Sequence, residues 1–161
     1  MNTSELYLKT IFCCMACDGN IAKEEIALVN SITSEQDLFK GMNIEATING
    51  HVTSINSTGT IFLKQYLKEL EMQNLSKEEQ MKVVTFALLT IFADSKIEYS
   101  EVKFFKKIRS KLSLTDEQIL SKYPDVEEFL LPDINEVEEL EWSDIVFSNI
   151  NFAECEQERK A

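Results

Sequence analysis

The chain contains an internal repeat. Residues 8–32, LKTIFCCMACDGNIAKEEIALVNSI, align without a gap with residues 84–108, VTFALLTIFADSKIEYSEVKFFKKI. In the first part of each copy, apolar residues follow the i, i+3, i+4, i+7 spacing of one helix face: Leu8, Ile11, Phe12 and Met15 in the first copy, and Val84, Ala87, Leu88 and Ile91 in the second. Each copy predicts an apolar-faced helix, a short loop and a second amphipathic helix. Because a solenoid needs about three or more repeats, two copies predict a duplicated αα-hairpin, for which a pseudo-twofold arrangement is expected.

The residues between and after the two copies also predict helices. Residues 42–56 have apolar side chains at helical spacing, although Thr, Asn and Gly lower their helix propensity. The next segment places five apolar residues on one helix face: Phe62, Leu63, Tyr66, Leu67 and Leu70. Two sequences match the capping box that begins a helix: Ser76 with Glu79, and Thr115 with Gln118. The predicted fold class is therefore all-α.

Negative charge is concentrated at the C-terminal end. The whole chain has a formal net charge of −12, and residues 125–161 hold 12 Asp and Glu residues against only Arg159 and Lys160. This excess argues against nucleic acid as a partner, because phosphate binding needs clustered Lys and Arg. The same segment is rich in apolar residues. We therefore expect it to pack on a helical domain formed by residues 1–124, with residues 153–161 frayed.

Three of the four cysteines lie in the first copy of the repeat. Cys13, Cys14 and Cys17 sit in an apolar run, which suits reduced, buried thiols and indicates a cytoplasmic protein. Cys14 and Cys17 form a CxxC, but their aligned residues are Thr90 and Ala93, and no second CxxC completes a four-ligand zinc site. We interpret these cysteines as small packing residues. No apolar run is long enough for a membrane span.

Each copy places an Asp at the end of its first helix and a Glu seven residues later, in the first turn of its second helix. These residues are Asp18, Glu25, Asp94 and Glu101. Because the loops are short, a pseudo-twofold arrangement of the hairpins would bring the four carboxylates to one end of the bundle. Clustered carboxylates without a basic neighbour suit a hard divalent cation such as Ca²⁺, Mg²⁺ or Mn²⁺.

A purely structural role explains the same four residues. Asp-Gly is a turn dipeptide, and a Glu at the third helical position complements the helix dipole and can cap the free amides. An EF-hand does not fit, because counting from Asp18 puts Lys23 at the position of the required Gly and Val29 at that of the required Glu. The residues alone leave helix capping and cation binding both open.

The two copies resemble the TerB-like family, which includes the tellurite-resistance protein TerB and the N-terminal domain of the DjlA co-chaperone. The resemblance rests on an A-D-G-x-I-x-x-x-E hairpin and covers roughly residues 5–122. It implies a compact bundle of seven or eight helices, a cation-binding acidic patch and a role in bacterial stress response. The family residues carried over are Asp18, Glu25, Asp94 and Glu101. Ser95 replaces the usual Gly of the second copy, and Ala22 fills the usual polar cap position of the first.

Two functions are compatible with these features. The first is a non-catalytic interaction module that binds a divalent cation, an unidentified protein partner or both. The alternative is a metal-dependent hydrolase that uses the same carboxylates. We favour the first, because the sequence offers no nucleophile paired with a base and no glycine-rich phosphate loop. The basic stretch at residues 103–111 could dock on an acidic partner or, only indirectly, on a membrane surface, and the chain's own acidic C-terminal segment is the nearest candidate partner.

Overall fold

The structure is a computed structural model that describes residues 2–17, 19, 23–35, 37–93, 97 and 99–131, with the backbone alone for 23–25 and 35. The described residues form eight α-helices, one short 3₁₀-helix at Asp37–Phe39 and no strand, so the predicted all-α class is confirmed for them. The helices are α1 Thr3–Ala16, α2 Lys23–Glu35, α3 Ile44–Thr58, α4 Thr60–Met72, α5 Lys77–Ile91, α6 Tyr99–Ser110, α7 Asp116–Lys122 and α8 Glu127–Leu130.

Helix α1 forms the centre of the core. Every residue from Leu6 to Ala16 is buried, and the helix packs against α3, α4, α5 and α6. A helix surrounded on all sides must satisfy the polar groups that it buries. The Thr10 hydroxyl donates to the carbonyl of Leu6 at 2.9 Å and lies 2.6 Å from the hydroxyl of Tyr66. Because Thr10 has a single hydroxyl proton, Tyr66 is the donor in the second bond.

Helix α4 runs antiparallel to α1. Moving forward along α1, the contacts on α4 move backward: the Lys9 ammonium binds the Glu69 carboxylate, the Thr10 hydroxyl meets that of Tyr66, and the ring of Phe12 packs edge-on against that of Phe62. The aromatic contact has a centroid separation of 5.6 Å. These three contacts define the register between the two helices.

Helix α6 runs in the same direction as α4. Its Phe104 ring lies 6.1 Å from that of Tyr66, and Lys111, just beyond its end, lies 3.6 Å from Glu71. Helix α5 runs opposite to α6, because Gln80, near the start of α5, accepts a hydrogen bond at 2.8 Å from the backbone N–H of Ser113, which follows α6. Helices α1 and α5 therefore point the same way, and their C-terminal ends lie at the same end of the bundle.

Helices occur at the aligned positions of both copies of the repeat. Lys23, the first residue of α2, aligns in the repeat with Tyr99, the first residue of α6. The aligned inward positions are also buried in both pairs: Val29 and Ile32 in α2, and Phe105 and Ile108 in α6. The loop residues 18 and 20–22 of the first pair, and 94–96 and 98 of the second, lie outside the described part of the chain.

The helices predicted between the hairpins are found, and local interactions mark where they begin and end. Asn43 caps α3 by accepting a hydrogen bond from the backbone N–H of Ala46. Gly59, at φ 60°, separates α3 from α4, and its N–H donates to the carbonyl of Ile55 at 2.7 Å. A residue with a side chain rarely adopts this backbone conformation, so glycine suits this break. Both predicted capping boxes are formed, one at the start of α5 and one at the start of α7.

The first residues of the acidic segment pack on the body of the bundle. Val126 and Phe129 are buried, and α8 packs against α6. The Phe129 ring stacks on that of Phe92 at a centroid distance of 5.6 Å and meets that of Phe105 at 5.8 Å. The predictions for residues 132–161 lie outside the described residues. Within the described part, no helix is both long and apolar enough to cross a membrane.

Candidate functional site

The four predicted carboxylates differ in how far the structure describes them. Glu101 is the third residue of α6 and is only 4% exposed. Glu25 is the third residue of α2, where the backbone alone is described. Asp18 and Asp94 lie outside the described residues. The gathering of all four side chains therefore stays a prediction.

The described residues around the two loops lie at one end of the bundle. Cys17 closes α1 and Phe92 closes α5, and the two helices run in the same direction. Gly19 has φ 90° and its N–H donates to the carbonyl of Ala16 at 2.9 Å. A positive φ of this size favours glycine, as expected for the second residue of an Asp-Gly turn. The convergence of the two acidic loops at this end stays a prediction, because Asp18 and Asp94 lie outside the described residues.

The burial of Glu101 is unusual for a charged residue in the first turn of a helix. A buried carboxylate is costly unless it is hydrogen-bonded or paired, and Glu101 does have an interaction partner. The N-terminal end of α6 also favours a negative charge through the helix dipole. Its position as third helical residue is that of the glutamate in a capping box. This helix position is compatible with capping, and burial means that a cation would find the carboxylate already desolvated.

A metal site made only of described residues is absent. No group of three or more His, Cys, Asp or Glu side chains among them is arranged to hold a metal ion. The predicted ligand set extends beyond these residues, since it includes Asp18, Asp94 and the side chain of Glu25. The predicted cluster is therefore not tested by this observation.

The cysteines of the first repeat are packing residues. Cys13, Cys14 and Cys17 are all buried and none forms a disulfide. Burial raises the pKa of the Cys13 thiol well above its usual range, which keeps the thiol protonated. The Cys17 thiol donates to the carbonyl of Cys14 at 3.4 Å. A reactive cysteine needs access to solvent and a lowered pKa, so the interpretation as packing residues agrees with the structure.

His51 lies in an aromatic slot, the space between the rings of Phe12 and Phe62, which its sequence neighbours do not predict. Its ring lies 5.4 Å from that of Phe12 and 5.5 Å from that of Phe62. Burial, together with the nearby charge of Lys9, lowers the pKa of His51 to about 4. Its buried Nε2 atom has no hydrogen-bond partner among the described residues. The histidine is therefore neutral at pH 7 and acts as a third ring between two phenylalanines.

An open depression between α6 and α7 is lined by polar groups that are already paired. Arg109 donates to Asp116 from both Nε and Nη2, the shorter distance being 2.7 Å. Ser113 and Thr115 also line the depression, and their backbone N–H groups donate to Gln80 and Gln118. These contacts connect α6 to α7 and to α5, which is a structural role.

Comparison with known proteins adds no family assignment. The chain matches no protein-family model, no curated protein and no solved structure.

Proposed function

We propose that the chain is a non-catalytic interaction module of the TerB-like type, built from a duplicated αα-hairpin with pseudo-twofold symmetry. Its proposed ligand is a divalent cation, Ca²⁺, Mg²⁺ or Mn²⁺, held by Asp18, Glu25, Asp94 and Glu101. The observation that carries the proposal is the common direction of α1 and α5. Because α1 and α5 pack against each other and end at the same end of the bundle, we expect the two acidic loops that follow them to start close to one another.

Two further observations support the proposal. The second helices of the two hairpins begin at aligned residues, Lys23 and Tyr99, so both glutamates occupy the third helical position. Glu101 is buried there, and a desolvated carboxylate interacts more strongly with a cation than an exposed one does. Oxygen ligands of this kind match the preference of hard divalent cations.

The proposed setting is the reducing cytoplasm of a bacterium, with a protein partner in a stress response. Burial of three thiols without a disulfide supports a reducing compartment. The stress-response role comes from the family resemblance alone. The cation would organise the acidic end of the bundle for a partner, because it neutralises charges that otherwise repel each other.

Isothermal titration calorimetry with Ca²⁺, Mg²⁺, Mn²⁺ and Zn²⁺ tests the cation site. We expect micromolar binding of at least one hard cation to the wild type and its loss in the Asp18→Asn/Asp94→Asn variant. The matched control is Asp37→Asn/Asp125→Asn, which removes two exposed carboxylates elsewhere and changes the charge equally. An equal loss of cation binding in both variants would mean that diffuse electrostatic attraction holds the cation, with no specific site. If no cation binds to the wild type, the cation is removed from the proposal and helix capping is left as the role of the acidic residues.

A further inference from the structure

Helix α3 is held to the bundle by a narrow apolar face. Only three of its 15 residues are buried, Ile48, Val52 and Ile55, and the helix packs against α4 and α1. Its other positions include residues of low helix propensity, with Gly50 in the interior and several Thr and Asn residues. An element with little buried apolar surface opens locally at a lower free energy than the core does. Helix α3 can therefore separate from the bundle more easily than the core helices α1 and α5.

A glycine with positive φ lies at each end of α3. Gly41, in the turn before the helix, has φ 84°, and Gly59, which ends the helix, has φ 60°. A Cβ atom at Gly41 would meet no atom within 4 Å, so this turn is not confined by its neighbours. Glycine adopts positive and negative φ with similar ease. The two glycines are thus suited to act as hinges on either side of α3.

The inner side of α3 carries one polar ring without a partner. His51 lies between Phe12 of α1 and Phe62 of α4, and its buried Nε2 atom has no hydrogen-bond partner among the described residues. The Phe62 ring already has the ammonium of Lys9 above it, at 4.8 Å. A neutral imidazole fits this slot, whereas an imidazolium would be a buried charge without an acceptor, which is costly. Protonation therefore favours an arrangement in which His51 reaches water.

The charged groups around the slot do not stabilise an imidazolium. Helix α1 contributes the ammonium of Lys9, and α4 contributes Glu69, which is bound to Lys9 at 2.8 Å. Because this pair is nearly neutral as a unit, burial is the main reason why the pKa of His51 falls to about 4, and Lys9 is the second. The Cys13 thiol of α1 stays protonated, and Glu45, the other ionisable residue of α3, is exposed. No carboxylate of the described part of the chain pairs with His51.

We propose that α3 is an acid-sensitive cover, hinged at Gly41 and Gly59, which separates from α1 and α4 when His51 takes up a proton. The rings of Phe12 and Phe62, buried in the closed state, become accessible while the other helices stay folded. In the open state His51 faces water, so its pKa returns to about 6.5. Opening therefore becomes more favourable as the pH falls from about 6.5 to 4 and changes no further below that. The cation site takes no part, so this proposal does not depend on the proposed function.

Hydrogen exchange of the full-length wild type at pH 7 and pH 5 tests the proposal, with each rate normalised to the intrinsic exchange rate at that pH. The most protected amides of α3 should lose about 20-fold in protection between the two pH values, as follows from one proton whose pKa is about 4 closed and about 6.5 open. The amides of α1 and α5 should keep theirs. An equal relative loss in α1 and α5 would mean that the whole bundle unfolds, and unchanged protection of α3 would mean that acid does not open it. Either result would overturn the proposal.

Three variants assign the effect to His51 in its slot. His51→Phe keeps a ring there and removes the titration, so the protection of α3 should be the same at both pH values. Ser54→His, added to His51→Phe, places a histidine on an exposed position of the same helix and should not restore the pH dependence. Val52→Ala removes a buried contact and should lower the protection of α3 by the same factor at both pH values. A pH-dependent loss that persists in His51→Phe, or returns with Ser54→His, would contradict the role of the slot and overturn the proposal.

Discussion

The ammonium of Lys9 lies 2.8 Å from the carboxylate of Glu69 and 4.8 Å above the ring of Phe62. Lys9 belongs to the central helix α1 and is nearly fully buried, whereas Glu69 on α4 is about a third exposed. The pair therefore joins the core helix to an outer helix and places a positive charge beside the aromatic slot of His51. Two predictions follow from this arrangement, one for stability and one for its pH dependence.

Removing Glu69 should destabilise the fold more than removing Lys9. Glu69→Gln leaves a buried ammonium with a weaker partner, and we expect a loss of about 1–3 kcal/mol in the free energy of unfolding. Lys9→Met keeps the apolar stem and removes the charge that needs a partner, so its cost should be smaller. Urea unfolding at pH 7 measures both.

The exposed pair Glu71 and Lys111, at 3.6 Å, is the control because it also joins α4 to another part of the bundle. Glu71→Gln should change the free energy of unfolding by less than about 1 kcal/mol. An equal effect of Glu69→Gln and Glu71→Gln would show that burial of Lys9 adds nothing to the interaction.

His51 should make the protein less stable as the pH falls from 7 to 5. Its pKa is about 4 in the folded state and about 6.5 in the unfolded chain, so in this range the unfolded state binds the proton first. The free energy of unfolding then decreases with falling pH, by up to about 1.4 kcal/mol per pH unit for one proton. Below pH 4 both states are protonated and this contribution stops changing.

The variant His51→Phe tests this assignment, since a phenylalanine fits between Phe12 and Phe62 and does not titrate. Its stability at pH 7 should equal or exceed that of the wild type, because the unpartnered Nε2 atom is removed. Between pH 7 and pH 5 it should lose less stability than the wild type. As His51 is the only histidine, its proton resonances can also be followed directly by NMR. An ordinary pKa near 6.5 in the folded protein would contradict the prediction.

The helices could be predicted from the sequence because each follows a local pattern. Apolar spacing and the capping boxes at Ser76 and Thr115 depend on residues a few positions apart, and the structure has helices at these positions. The burial of every α1 residue from Leu6 to Ala16 could not be predicted in this way. A lysine is expected at the surface, and burial of Lys9 depends on its contact with Glu69, which lies sixty positions away in the chain.

At the candidate site, too, local sequence patterns predict helix positions but not which side chains are buried. The spacing of Glu101 after the loop predicts its place in the first turn of α6, but not its burial, since glutamates there are commonly solvated. Leu89 and Phe92 have the spacing of buried residues, as do their aligned positions Cys13 and Ala16. Leu89 and Phe92 are nevertheless largely exposed, whereas Cys13 and Ala16 are buried, and local spacing carries no information on this difference.

The buried cysteines should react slowly with a thiol reagent. In a Cys155→Ser variant, the remaining thiols are Cys13, Cys14 and Cys17, all buried. Because the reagent needs an accessible thiolate, we expect the reaction with Ellman's reagent at pH 8 to be slow in the native protein and fast in guanidinium chloride. The unfolded protein serves as its own control. A rapid reaction of one or more thiols in the native state would contradict the packing role.

Glu101 distinguishes helix capping from cation binding when it is replaced in two ways. Glu101→Gln keeps an oxygen that can accept from the first backbone N–H groups of α6, so we expect stability without cation to be largely retained. Loss of the charge should nevertheless weaken cation binding, measured by calorimetry. Glu101→Ala removes both features and should also lower the free energy of unfolding by about 0.5–2 kcal/mol.

The matched control is Glu79, which occupies the third position of α5 in a complete capping box and lies outside the proposed cation site. Glu79→Ala should destabilise the protein without changing cation affinity, and Glu79→Gln should change neither. If Glu101→Gln binds the cation as tightly as the wild type does, Glu101 is not a ligand and its role is capping. If the Glu101→Gln variant is as unstable as Glu101→Ala, the charge of the carboxylate itself stabilises α6. A neutral oxygen at the same position then does not replace that charge.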